Sequence, residues 1–95
     1  VGGISELKKV ADMAHAYAIP TAPHGPFGPV AIAAGVQTML AHPGFLILEY
    51  AWGEVPWRHD LITPQETIRE SRIVPSGLPG LGVALDREMV RRLVH

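Results

Sequence analysis

The chain has 95 residues, 47% of them hydrophobic and 18% charged, with a formal net charge of −1 when histidine is neutral. That balance gives no pull toward nucleic acid or anionic lipid. The lack of cysteine excludes a disulfide framework and a thiolate metal site and fits the cytoplasm, and no apolar run is long enough to span a membrane.

At most one small domain fits in this length. A chain this small and this apolar reads as a piece that packs against something larger. A first helix is expected from Ser5, a candidate N-cap, to Ala18. Leu7, Val10, Ala11, Ala14, Tyr17 and Ala18 recur there at helical spacing, with Lys8, Lys9, Asp12 and His15 opposite. Pro20 ends it, because the residue before a proline is pushed toward extended geometry. Ile19 to Ala22 then reads as a short strand running into Pro23-His24-Gly25-Pro26-Phe27-Gly28-Pro29. A titratable side chain at the C-terminal end of a strand, with a helix next in line, is where (β/α) barrels place their chemistry.

Pro29 suits the first turn of a second helix, Val30 to about Ala41. Its small residues Ala31, Ala33, Ala34 and Gly35 permit close neighbours and imply burial on more than one side. Pro43-Gly44 ends it. The apolar run Phe45-Leu46-Ile47-Leu48 fits a strand buried on both faces of a parallel sheet, and Glu49 closes it. Helix, strand, helix, strand is α/β alternation.

From Tyr50 to Leu81 the pattern is irregular, with Ile68 and Ile73-Val74 as candidate short strands. Trp52 and Trp57 read as packing residues. Glu54 and Arg58 lie in the loop after the second strand, within possible reach of a substrate. Pro79-Gly80-Leu81-Gly82 is a turn, and Gly77, Gly80 and Gly82 lack the Lys-Ser/Thr of a phosphate loop. Asp86 caps a last helix, Arg87 to Val94, with Met89, Val90 and Leu93 on its apolar side. His15, His42, His59 and His95 form no i, i+4 pair and no HExxH motif, which argues against zinc. On position alone, His24 is either a solvated loop residue or a catalytic group. Glu49 is either the first solvated residue after a buried strand or a group at the same mouth.

Taken in order, five segments carry a resemblance: Gly2-Gly3-Ile4-Ser5-Glu6, Ile19-Pro20, Ala22-Pro23-His24-Gly25-Pro26-Phe27-Gly28-Pro29, Phe45-Leu46-Ile47-Leu48-Glu49, and Pro79-Gly80-Leu81-Gly82-Val83-Ala84-Leu85-Asp86. Together they resemble the C-terminal part of the mandelate racemase/muconate lactonizing enzyme family of the enolase superfamily, most closely its galactonate-type acid-sugar dehydratases. The resemblance implies an α/β fold, the C-terminal fragment of a modified (β/α) TIM barrel. Residues 1–50 would end the barrel, contributing its last two strands and helices. Residues 51–95 would form an extension packing on the barrel and a capping domain.

The chemistry implied is a Mg²⁺-dependent hydro-lyase reaction, in which the proton α to a carboxylate is removed, Mg²⁺ stabilises the enediolate, and water is eliminated. By the resemblance His24 is the catalytic acid–base group, Glu49 hydrogen-bonds the substrate or the intermediate, and neither is a metal ligand. The Mg²⁺ carboxylates, and the aspartate that would orient His24, are expected upstream of Val1. The chain alone is therefore expected to hold no metal, to lack activity, and to fold poorly or self-associate. The implied partners are a small acid-sugar substrate and the remainder of a homo-oligomeric parent, with no nucleic acid and no membrane. A racemase, epimerase or cycloisomerase of the same family is the alternative chemistry. A small non-enzymatic α/β interaction module, binding through exposed apolar faces, is the alternative of another class.

Overall fold

The computed structural model describes residues 1–94; His95 lies outside the described residues. In chain order the elements are α1 (Ile4–Ala16), α2 (Pro29–Leu40), a 3₁₀ turn (Arg58–Leu61), β1 (Ile62–Thr63), β2 (Thr67–Arg69), β3 (Arg72–Val74), β4 (Ala84–Leu85) and α3 (Arg87–Leu93).

Helix α1 starts earlier than Ser5 suggests. Gly3, at φ 101°, is the N-cap and no side chain caps the helix. The Gly3 carbonyl accepts the Leu7 N–H, which leaves Ser5 inside the first turn. The helix also ends earlier, at Ala16. Tyr17 and Ile19 both donate to the Ala14 carbonyl, and Ala18 donates to the His15 carbonyl. This is a Schellman closure, with Ala18 at φ 56° where glycine is the usual occupant. The stop is therefore made before Pro20 is reached. Of the expected apolar stripe only Ala11 is buried, while Val10 and Tyr17 are exposed. The stripe is wider than α2, its neighbour, can cover.

The two expected strands, Ile19–Ala22 and Phe45–Leu48, reduce to a single parallel bridge between Thr21 and Phe45. Thr21 donates to the Gly44 carbonyl at 2.7 Å and accepts from the Leu46 N–H at 2.9 Å. The next rung needs a donor at position 23, and Pro23 has no N–H. Its carbonyl instead accepts from Glu49 at 3.3 Å. The ladder thus breaks, yet the two segments stay side by side up to Glu49. The run expected to be buried on both faces is open here: Leu46 and Ile47 are 63% and 62% exposed. No further strand of the described residues lies beside it.

Helix α2 follows expectation. Pro29 occupies its first turn, and Pro29, Ile32, Ala33, Gly35, Thr38 and Met39 are buried. The C-terminal part closes its own hydrogen bonds. β2 and β3 pair antiparallel with Ile68 opposite Ile73, where short strands were expected. Their two-residue turn, Glu70-Ser71, has φ of 49° and 60°, the double positive φ of a type I′ turn. β1 and β4 were not anticipated. They pair Ile62 with Leu85 and Thr63 with Ala84, and Ile62 is only 1% exposed. A two-residue strand is too short to leave a period-2 pattern. The Pro79–Gly82 turn is closed by a bond from the Gly82 N–H to the Pro79 carbonyl. Asp86 caps α3 by accepting the Met89 N–H at 2.9 Å, as its position suggests. No helix among the described residues is long and apolar enough to cross a membrane.

Candidate functional site at the paired segment ends

The Thr21–Phe45 bridge carries the ends of both segments to the same place. There His24 Nδ1 lies 2.6 Å from Glu49 Oε2, across 25 residues of sequence. The Gly25 N–H donates to the same oxygen at 3.2 Å. Glycine is required at this point, because a Cβ on Gly25 would fall 1.7 Å from the Glu49 carbonyl oxygen. The Gly25 N–H, and after it the His24 hydrogen bond, hold the Glu49 carboxyl below the ordinary glutamate range. Near neutral pH Glu49 is therefore an ionised, acceptor-only partner. It follows that Nδ1 carries a proton and donates, which leaves Nε2 as the ring atom that can gain or lose one. Both side chains face solvent, 69% and 56% exposed. The Phe27 ring stands edge-on to the imidazole at 5.5 Å.

The family resemblance gives Glu49 to the substrate and expects the carboxylate partner of His24 elsewhere. In this structure Glu49 itself occupies Nδ1. What the arrangement can do chemically is proton transfer at Nε2, with the ring orientation held from the other side.

A second cluster lies directly behind the pair, and sequence reasoning missed it. Arg58 is 4% exposed, far from the substrate-reaching loop residue that its position suggests. Its Nη1 donates to the Phe27 carbonyl at 2.7 Å and its Nε donates to the Tyr50 hydroxyl at 3.3 Å. Nη2 sits 3.6 Å from Glu66 Oε1, and the guanidinium lies over the Tyr50 ring at 4.8 Å. The Tyr50 hydroxyl donates to Glu66 Oε2, while His59 Nδ1 is 3.7 Å from that oxygen. Burial, and then the bond to Glu66, push the Tyr50 hydroxyl up from its ordinary value. The one sequence signal was a charged residue set between Trp57 and the apolar Leu61-Ile62. Nothing in the spacing says that it turns inward.

The remaining candidates stay apart from the pair. His42 is buried, accepts the Gly44 N–H on Nδ1 at 3.1 Å and faces Asp12 at 3.4 Å. His15, on the exposed side of α1 as expected, meets the His42 ring edge-on at 5.6 Å. Trp52 is 73% exposed and tilted against Tyr50. Gly77, Gly80 and Gly82 have φ of 74°, 67° and 75°, as turn glycines do. Among the described residues no group of three or more His, Cys, Asp or Glu could hold a metal ion. Mg²⁺ needs several oxygen ligands in near-octahedral array, and Oε2 of Glu49 is already held by His24 and Gly25. These residues do not make a Mg²⁺ site.

Two parallel segments, each preceded by a helix and ending in a histidine or a carboxylate, have the alternation and end placement of a fragment of a (β/α) barrel. The profile of the enolase C-terminal domain-like family matches residues 1–89, and the chain belongs to that family. It is 37% identical over 90 residues to a D-xylonate dehydratase of Haloferax volcanii, covering 95% of this chain and 22% of that protein. It is 37% identical over 96 residues to a D-galactonate dehydratase family member of Streptomyces bingchenggensis, covering 99% of this chain and 23% of that one. A mandelate racemase/muconate lactonizing enzyme-like protein from Rubrobacter xylanophilus superimposes with a TM-score of 0.88 at 33% identity, over 99% of this chain and 24% of that chain. The chain thus spans about a quarter of the length of these relatives.

Proposed function

We propose that this chain is the C-terminal, proton-transferring part of an acid-sugar dehydratase, a carbon–oxygen hydro-lyase. The observation that carries the reading is the His24–Glu49 bond of 2.6 Å at the ends of two paired parallel segments. Dehydration of a sugar acid removes the proton next to a carboxylate and expels the neighbouring hydroxyl. A hydroxyl leaves poorly unless it is protonated as it goes. A histidine held at Nδ1 by a carboxylate is suited to give or take that proton at Nε2 near neutral pH. Glu49 orients the ring and stabilises the positive charge that appears when Nε2 is protonated. The names of the relatives, D-xylonate and D-galactonate dehydratases, support a sugar-acid substrate.

In this proposal the Mg²⁺ that the family resemblance implies is held by residues other than these, and no step above runs through it. Residues 1–50 end the barrel and residues 51–95 pack upon it. The exposed Val10, Met13, Tyr17, Leu46 and Ile47 are the surface that the remainder of the barrel would cover.

The test is steady-state turnover of D-xylonate and D-galactonate by the intact protein and its His24→Asn variant. Asparagine keeps a hydrogen-bonding side chain but cannot transfer a proton near neutral pH. The expected loss in kcat is about 10²–10⁴-fold, with circular dichroism unchanged. Retention of more than about a tenth of the native kcat overturns the acid–base assignment, since that loss is below the usual range.

A further inference from the structure

We infer that Arg58 is a positioning residue for the His24–Glu49 pair. One guanidinium grips both segments that carry the pair. Nη1 donates to the carbonyl of Phe27, on the loop that His24 opens. Nε donates to the hydroxyl of Tyr50, the residue after Glu49. Nη2 faces Glu66, whose side chain is 5% exposed and which also accepts from Tyr50. Glu66 is therefore the anchor, and Phe27 and Tyr50 are the two ends being held together.

The pair itself cannot set this geometry. Its two side chains are more than half exposed, so water competes for every bond between them. The backbone link between the segments is long at this point, 3.3 Å from the Glu49 N–H to the Pro23 carbonyl. The loop between His24 and α2 is built of glycine, proline and Phe27. Phe27 forms the edge-on wall of the imidazole, so its carbonyl bond to Arg58 fixes where that wall stands. A buried guanidinium with two directed N–H bonds, to Phe27 and Tyr50, and a third nitrogen facing the Glu66 carboxylate at 3.6 Å is rigid where the exposed pair is not.

Lysine separates positioning from mere charge balance. It restores a positive charge opposite Glu66, but its single ammonium cannot reach the Phe27 carbonyl, the Tyr50 hydroxyl and Glu66 together. The experiment uses the intact protein as Arg58→Lys, and as Arg58→Met with Glu66→Leu, which removes both buried charges at once and keeps a folded sample if the single variant unfolds. Two readouts are taken, kcat against KM on the sugar acid, and the ¹⁵N signals of the His24 ring.

The expected result is a kcat loss of about 10²-fold, the order that a misplacement near 1 Å causes, with KM little changed. The Nδ1–H signal of His24 should give way to the tautomer mixture of free histidine. A folded variant with native ring signals overturns the proposal. The catalytic half rests on the acid–base reading of His24. If His24→Asn is itself active, that reading falls, and the ring signals alone still decide whether Arg58 sets the pair.

Discussion

The His24–Glu49 pair and the Arg58–Tyr50–Glu66 cluster lie side by side, joined through Phe27 and Tyr50, and differ in their exposure to water. His24 and Glu49 stand in solvent with one short bond between them. The Arg58 and Glu66 side chains lie out of water, joined through the half-buried Tyr50 hydroxyl. Exposed ion pairs contribute little to stability, because water screens them and their side chains lose freedom. A buried set cannot be broken at one member without leaving a charge unsolvated. The exposed pair is thus open to solvent and unable to hold the fold, and the buried cluster is the reverse.

Removing the anchor should show the largest effect. Glu66→Ala leaves Arg58 buried without its carboxylate and is expected to destabilise the intact protein by about 3–5 kcal/mol. Denaturant unfolding measures it, and a loss below about 1 kcal/mol would place Glu66 in the class of screened surface pairs.

Next comes the point where the two segments that carry the exposed pair touch. Gly25→Ala puts a methyl into the Glu49 backbone and should cost about 3 kcal/mol, the upper part of the overpacking range. It should also separate His24 from Glu49. A variant as stable as the native protein would mean that the two backbones are not in contact.

Asp86→Ala lies outside both clusters and calibrates them. Losing the one side-chain cap of α3 should cost about 1 kcal/mol, seen in the same unfolding series. A cost equal to that of Glu66→Ala would erase the distinction between buried and ordinary polar contacts.

The smallest effect concerns pH. The Glu49 carboxyl is lowered in the folded state, by Gly25 first and His24 second. A depressed acid stabilises above its unfolded value, and that contribution is lost as pH falls through the lower folded one. The ¹³C signal of the Glu49 carboxyl and the Gly25 amide should therefore titrate together, with a midpoint below the ordinary glutamate value of 4.5. A midpoint at or above 4.5 would mean that neither bond forms in solution.

Several elements could be read from neighbouring residues alone. Pro29 and the run of small residues after it specify α2, because a proline at the first turn and close-packing alanines act within the helix itself. Asp86 specifies the start of α3 through a bond three residues along. Ile68 and Ile73-Val74 mark the two short strands that become β2 and β3. Local rules misjudged α1 at both ends, since Gly3 and Ala18 adopt positive φ and α-turn chemistry at Ala18 has no glycine to signal it.

Only the tertiary structure decided which carboxylate His24 meets and which way Arg58 turns. The first bond joins residues 25 apart and the second joins Arg58 to a carbonyl 31 residues away. Neither separation is a helical or strand period, so no pattern in the chain encodes it. The missing N–H of Pro23 lets the two segments lie together without a ladder, the bare Cα of Gly25 lets them touch, and burial turns Arg58 onto the Phe27 carbonyl and the Tyr50 hydroxyl, facing Glu66.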